Sequence, residues 1–299
     1  MFFTEKLRPR VDSLSFSLLQ NKNIKADVLR LDLIDPLISG NKWFKLKEYI
    51  ADAHLKNKST VVTFGGAFSN HILATAAYCH KAGLKSVAIV RGEKPKAMSF
   101  TLQAATSLGM DLFFVTREEY RKKHIPEIVS EKYPDHYLVN EGGYGILGMK
   151  GAQAILDLPN QDKYTHILSA VGTGTTLAGL IEASKENQQV IGISSLKNNP
   201  ELEATINELL SPSKKTRFQL LHDFHCGGYA KYDAQLIRFM NDWFSLTSIP
   251  TDFVYTAKAF YAFNEMVNKN VFPPGSEILL VHTGGLQGNN SLKNGTLIF

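Results

Sequence analysis

Residues 165–180 read Thr165-His166-Ile167-Leu168-Ser169-Ala170-Val171-Gly172-Thr173-Gly174-Thr175-Thr176-Leu177-Ala178-Gly179-Leu180. A short apolar run passes through small residues into a helix-forming run. This predicts a strand over 165–171, a turn, and a helix over 176–185. At such a junction the free N–H groups of the helix start and the helix dipole favour an anion, and glycines let it approach the backbone. The threonine hydroxyls add donors. The turn lacks the Gly-Lys-Ser/Thr ending of a P-loop, and Gly172, Gly174 and Gly179 miss the dinucleotide spacing. Taken alone, it serves equally well as an ordinary connection capped by threonine.

The same alternation extends in both directions. Strands are predicted over 59–63, 86–90, 111–115, 190–194 and 277–282. Helices are predicted over 41–53, 70–82, 97–108, 117–132, 148–156, 200–210, 234–243 and 256–268. Short β-branched runs between helices indicate an α/β protein with mainly parallel sheets. There is no internal repeat or low-complexity linker, and 198–217 reads as a surface excursion. Small-residue turns follow three strands, at 64–69, 171–176 and 283–285. Ligands of open parallel sheets gather beyond the carboxyl ends of strands, so the three turns are expected around one ligand.

In the first of these turns, Gly65-Gly66-Ala67-Phe68-Ser69-Asn70-His71, Ser69 is placed to cap the helix that Asn70 and His71 open. The exposed N–H groups there suit a carboxylate, although simple capping explains the residues as well. Upstream, Ser39-Gly40-Asn41-Lys42 precedes Trp43-Phe44-Lys45-Leu46. A lysine at a helix start meets the positive end of the dipole and is better accommodated neutral or paired with an anion.

The composition excludes several classes. With 299 residues, 44% hydrophobic and 20% charged, the chain buries a core and is long enough for two lobes. The net charge of +5 is spread out, and the clusters 56–58, 121–123 and 214–217 are short and lack interleaved aromatics. A solvated basic surface is therefore expected rather than a nucleic-acid interface. Cys79 and Cys226 form neither a CxxC pair nor a metal spacing, so no metal site and a reducing compartment are expected. Residues 1–10 carry no apolar signal region, and no run reaches the length of a membrane span. The expectation is a soluble cytoplasmic protein.

Taken in order, Gly40-Asn41-Lys42, Gly65-Gly66 with Ser69-Asn70-His71, Gly172 to Thr176, and His282-Thr283-Gly284-Gly285 resemble a known family. The resemblance, from about Leu29 to the C-terminus, is to the 1-aminocyclopropane-1-carboxylate (ACC) deaminase and D-cysteine desulfhydrase family. These are tryptophan-synthase-β-like enzymes of fold type II that use pyridoxal 5'-phosphate (PLP). The resemblance implies a two-lobed α/β fold, each lobe a mainly parallel sheet flanked by helices, assembled as a homodimer. It implies a small lobe over 45–151 and a large PLP-binding lobe from 1–44 plus 152–299. Lys42 matches the cofactor lysine, and Asn70 the residue beside the cofactor ring. Gly172, Thr173, Gly174, Thr175 and Thr176 match the phosphate loop, and Thr283 lies near the group facing the pyridine nitrogen. Ser69 matches a serine that contacts substrate and helps handle protons, and Asn70 and His71 fall on the substrate-carboxylate side. Tyr229 and Tyr255 match the two active-site tyrosines.

Within that family, ACC deaminases have glutamate after the second tyrosine and leucine in the His-x-Gly-Gly motif. Here these positions are Thr256 and Thr283, as in the desulfhydrase branch. A carboxylate near the pyridine nitrogen favours its protonation, and a hydroxyl does not. The implied reaction is β-elimination of D-cysteine to pyruvate, sulfide and ammonia, with Lys42, Ser69 and Tyr255 as catalytic residues and ACC deamination as the alternative. The chain departs from the family in its short N-terminus, in the acidic motif reduced to Arg30-Leu31-Asp32, in Val171-Gly172 opening the phosphate loop, and in the poor match around Tyr229. Readings from other classes are a non-catalytic phosphate-binding protein or a retired enzyme kept as a binding module. The intact Lys42, Ser69, Asn70 and threonine cluster speaks against the second. The first lacks an acidic ribose-binding residue at Ser195-Leu196-Lys197.

Overall fold

The structure, a computed structural model, describes residues 8–299; most of the 1–10 segment read for a signal therefore lies outside the described residues. In chain order the elements are β1 (Arg10–Leu14), α1 (Ser17–Asn21), β2 (Lys25–Arg30), α2 (Asn41–Leu55), β3 (Thr60–Gly65), α3 (Asn70–Ala82), β4 (Lys85–Arg91), α4 (Phe100–Ser107), β5 (Met110–Val115), α5 (Arg117–Lys122) and α6 (Glu127–Lys132). They continue as β6 (His136–Val139), α7 (Ile146–Gln153), β7 (His166–Val171), α8 (Thr175–Ala183), β8 (Gln189–Ser194), α9 (Leu202–Asn207), β9 (Phe218–Leu221), α10 (Ala234–Thr247), α11 (Thr256–Asn268) and β10 (Glu277–His282).

These strands form two sheets. One has the order β1-β2-β10-β7-β8-β9, and the other β5-β4-β3-β6. Every pairing is parallel except β1 with β2. Both faces of the larger sheet are buried, as parallel sheets require. The pleat sends Leu29, Ile167, Val171, Leu279 and Val281 to one face, where they meet α7 and α8. Ala26, Val28, Leu168, Ala170, Ile278 and Leu280 point to the other, against α11. Because β7 and β10 are parallel neighbours, their turns emerge side by side at one edge. No helix among the described residues is long and apolar enough to cross a membrane.

Helix α7 joins the two sheets' helical layers, and its small residues make this possible. A Cβ on Gly151 would stand 2.1 Å from the Phe44 carbonyl oxygen of α2. On the neighbouring helix α8, a Cβ on Gly179 would stand 2.5 Å from that of Ala152. Backbones at this separation leave no room for a side chain, and the close approach brings the start of α2 to the start of α8.

The structure departs from the sequence reading in several places. Residues 10–30, given no strands, supply β1 and β2. Strand β2 carries Asp27 and Arg30, so its pattern is neither alternating nor continuously apolar. Asp27 is neutralised by Ser13, Lys163 and Tyr164, and Arg30 by Asp12 and Asp32. The short edge strands β6 and β9 were also missed. The helix expected over 117–132 is two, because Lys123 takes a left-handed φ of 53° and Pro126 caps the second piece in an extended conformation. The surface excursion expected over 198–217 is partly core: Leu202, Ile206, Leu209 and Leu210 recur at helical spacing and pack against the α8 side of the sheet.

A Gly151→Leu protein is expected to lose about 3 kcal/mol of stability, since overpacking against backbone is not relieved by a rotamer change. Urea denaturation followed by circular dichroism measures this. A midpoint equal to wild type would show that α2 and α7 separate freely.

Candidate active site

The three turns meet. Gly40 adopts φ +70°, and a Cβ there would stand 1.9 Å from the Thr283 carbonyl oxygen. The N–H of Asn41 donates to that same oxygen at 3.1 Å, so the start of α2 is laid on the turn after β10. On its other side that turn touches the first turn: a Cβ on Gly285 would lie 2.5 Å from Asn70 Nδ2. The turn after β7 is tied in through the Asn41 side chain. Its Nδ2 donates to Thr176 Oγ1 at 2.7 Å, and its Oδ1 accepts from Lys42 Nζ at 3.1 Å. One amide thus links the lysine to the N-terminus of α8.

That N-terminus has the features that suit an anion. Gly174 has φ +81°, and Ile206 of α9 fills the space where its side chain would be. The first turn of α8 carries no acidic residue, and Thr173 Oγ1 and Thr175 Oγ1 lie 3.2 Å apart. The loop after β6 closes over it, with Gly142 against the Thr173 methyl.

The electrostatics are cationic. Burial pulls Lys42 down to about 8, and the charge of Asp252 works against that shift. Lys45, one helical turn on and 2% exposed, is held well below the ordinary lysine value by burial and by Lys42. Lys42, partly buried, and Lys45, buried, thus put two amines close together on one face of α2, a charge that a bound anion would balance. Lys45 was passed over in the sequence reading, although its i+3 spacing from Lys42 puts both on one helix face. Asn41 was read only as part of a motif.

His71 stands differently from the expected carboxylate contact. It is 2% exposed, with Nε2 at 2.8 Å from Thr63 Oγ1. The Thr63 hydroxyl donates to the Val139 carbonyl, so Nε2 carries the proton and Nδ1 is a bare acceptor with no hydrogen-bond partner among the described residues. Burial, then Lys42 and Lys45, push its pKa well down, so the ring is neutral. A neutral lone pair repels a carboxylate and suits a buried ammonium. At this helix start the groups with the chemistry to hold a carboxylate are the backbone N–H groups and the Ser69 hydroxyl, whose oxygen accepts from Ile72 N at 3.3 Å.

On the opposite wall, Tyr255 packs on Gly172, whose Cβ would lie 3.1 Å from the ring. The Tyr255 and Tyr229 rings meet edge to face at 6.1 Å, their hydroxyls hydrogen-bonded to each other. Burial raises Tyr255 well above the ordinary phenol value, so its proton stays in place at neutral pH. Asp252, also missed in the sequence, positions Tyr255. Fully buried, it accepts from the N–H groups of Val254, Tyr255 and Thr256 and from Thr256 Oγ1 at 2.7 Å. The Thr256 hydroxyl is therefore committed inside this cap. Lys258 anchors the Tyr229 segment through a 2.7 Å bond from Nζ to the Gly228 carbonyl. Thr283 is buried at the turn that supports Asn41.

These residues fit PLP. The start of α8 with Lys45 nearby would hold the phosphate, Lys42 the aldehyde carbon, and Asn70 would flank the ring, its buried Oδ1 having no protein partner. In the cofactor-free protein, modification of Lys42 by an amine-reactive reagent is expected to titrate with a midpoint near pH 8, the reactive neutral form lying above it. Ordinary lysines titrate near about 10.4. Asp252→Asn removes the charge that raises the Lys42 pKa, so the midpoint moves down, as peptide mapping across pH would show. A midpoint above pH 10 would disprove the burial argument.

The chain matches the family model described as "Pyridoxal-phosphate dependent enzyme" over residues 19–284. It is 32% identical over 285 residues to a Thermotoga maritima protein named "Putative 1-aminocyclopropane-1-carboxylate deaminase", covering 87% of this chain and 88% of that one. It is 27% identical over 289 residues to the Arabidopsis thaliana "Bifunctional D-cysteine desulfhydrase/1-aminocyclopropane-1-carboxylate deaminase, mitochondrial", covering 87% of this chain and 72% of the other. Among solved structures, the one titled "Crystal Structure Analysis of the ACC deaminase homologue" superposes with a TM-score of 0.83 at 24% identity, covering 95% of this chain and 91% of that one. A fold with a mainly parallel sheet in each half, a lysine tied through Asn41 to the start of α8, and a match spanning most of the chain lead to one conclusion: this chain belongs to the pyridoxal-phosphate dependent enzymes of fold type II, in the ACC deaminase and D-cysteine desulfhydrase family.

Proposed function

We propose that the chain catalyses β-elimination and deamination of a small amino acid, with D-cysteine converted to pyruvate, sulfide and ammonia. The observation that supports this reading most is an amine with a pKa near 8, Lys42, at the meeting of the three turns that also carries the open start of α3 and the Tyr255–Tyr229 pair. PLP, when bound, withdraws the electron pair left at the substrate α-carbon. The protein's own groups do the rest. The backbone N–H groups at the start of α3 and the Ser69 hydroxyl hold the substrate carboxylate. Lys42 Nζ takes the α-proton in its neutral form, a fraction that burial makes substantial near pH 8. The Tyr255 hydroxyl, coupled to Tyr229, supplies a proton to the departing sulfur. Asp252 holds Tyr255 in register for that transfer.

ACC deamination is the second reading, favoured by the names of the relatives. Against it stands Thr256, at the position where glutamate marks ACC deaminases, because its hydroxyl is spent on Asp252 and leaves no carboxylate for the pyridine nitrogen. The lobe boundaries at 44/45 and 151/152 and a homodimer rest on the family resemblance, and a cytoplasmic location on the sequence reading; light scattering of the purified protein checks the dimer.

PLP-loaded protein is expected to release sulfide and pyruvate from D-cysteine. Lys42→Ala is expected to abolish both and to remove the lysine-linked visible absorbance band. Tyr255→Phe is expected to lower kcat by about 10²-fold with the band intact, as for loss of one acid–base group. L-Cysteine, β-chloroalanine, D-serine and ACC are run in parallel. Oxobutyrate from ACC without sulfide from D-cysteine would reverse the preference between the two readings. A protein that binds PLP but turns over none of these would keep the PLP site and send the search to other amino acids.

A further inference from the structure

Arg91 ends β4, and the parallel register that pairs Val90 with Gly65 brings it beside Gly66. The guanidinium lies across that glycine: a Cβ on Gly66 would be 3.4 Å from Nη2 and 3.9 Å from Nε. Gly66 begins the loop that reaches Ser69 and Asn70, so the cation sits at the outer rim of the carboxylate-binding turn. Its other neighbour is the Tyr120 ring, 5.7 Å from the guanidinium carbon. Across the opening are Tyr229 and, behind it, Tyr255, and the Arg91 charge is felt at the Tyr229 hydroxyl.

The other charges at this rim are spoken for. Lys123 pairs with Glu141 and covers the Tyr120 face. Among the described residues no carboxylate pairs with Arg91, which is exposed at the mouth of the site. Arginine in this setting has its planar fork of donors free, the geometry that recognises carboxylate or phosphate groups. A neutral substituent such as the thiol of cysteine makes no use of it.

We propose that Arg91 is a distal anion site and that the preferred substrates are three-carbon amino acids whose β-substituent carries a negative charge. The proposal rests on the elimination reading above and adds the substrate class. With O-phosphoserine as the representative, Lys42 Nζ takes the α-proton and the Cβ–O bond breaks, its electron pair leaving with phosphate. Addition of one water then gives pyruvate, ammonia and inorganic phosphate. Arg91 contacts the leaving anion before and during that cleavage, and the Tyr255 and Tyr229 hydroxyls face its bridging oxygen.

The test uses the PLP-loaded protein with both enantiomers of O-phosphoserine and of β-chloroalanine, a neutral compound with a good leaving group. Two readouts are followed: the Kd from the change in visible absorbance, and keto-acid release. Wild type is expected to bind O-phosphoserine more tightly than β-chloroalanine. Arg91→Gln is expected to weaken O-phosphoserine at least ten-fold more than β-chloroalanine, and Arg91→Lys is expected to recover part of the loss. Equal losses for the two compounds, or no preference for the anionic one in wild type, overturn the proposal. Arg91-dependent binding of O-phosphoserine without keto-acid release supports the anion site while rejecting elimination. Turnover of β-chloroalanine with no binding of O-phosphoserine rejects the anion site and leaves elimination standing.

Discussion

The site depends on one backbone contact, the laying of Gly40 and Asn41 on the carbonyl of Thr283. The N–H at a helix start needs an acceptor, and here it finds one outside its own helix, in the turn after β10. The approach is so close that the residue before Asn41 has no room for a side chain. Once made, the contact fixes the axis of α2, and with it the direction in which Lys42 leaves the helix. Asn41 then uses its side chain to register Lys42 against Thr176, so one amide holds the amine at a set distance from the turn after β7.

The turn after β10 is itself held by a buried polar network. His282, fully buried, donates from Nε2 to the Pro250 carbonyl at 2.7 Å, while Nδ1 lies 3.2 Å from the Gly284 N–H and 3.3 Å from Asp32 Oδ1. Asp32 in turn meets the Arg30 fork at 2.9 and 2.7 Å, and Arg30 reaches Asp12. Buried charges are tolerated when every one is paired, and removing one partner from such a network costs about 3–5 kcal/mol. The acidic residue kept in the reduced Arg30-Leu31-Asp32 motif therefore serves the support of the site rather than its chemistry.

Lys42 and Lys45 follow the opposite rule. Lys45 is buried and Lys42 partly so, close together on one helix face, and the carboxylate acting on Lys42, Asp252, is occupied with the α11 cap. Among the described residues neither amine has a carboxylate ion-pair partner, the reverse of the paired supporting network, and that suits them to an anionic ligand. The same contrast separates Arg91 from Lys123 at the rim. Burial acts in opposite senses on the two groups: it brings the neutral form of Lys42 within reach near pH 8 and keeps the Tyr255 phenol protonated.

Local sequence determined a good deal of this. Helices α3 and α11 and strand β10 begin and end where the residues predicted, because caps, apolar period and turn glycines act within a few residues. The three turns and Lys42 were legible for the same reason. Strands β1 and β2 were not, since their charged residues are neutralised by side chains far along the chain, such as Lys163 and Tyr164 on Asp27. The inward turn of His71, the role of Asp252 and the presence of Lys45 in the chamber also depend on long-range packing. A residue's type fixes what it can donate, accept or carry. Whether that capacity is satisfied within the protein or left open for a ligand is set by neighbours that only the folded chain supplies.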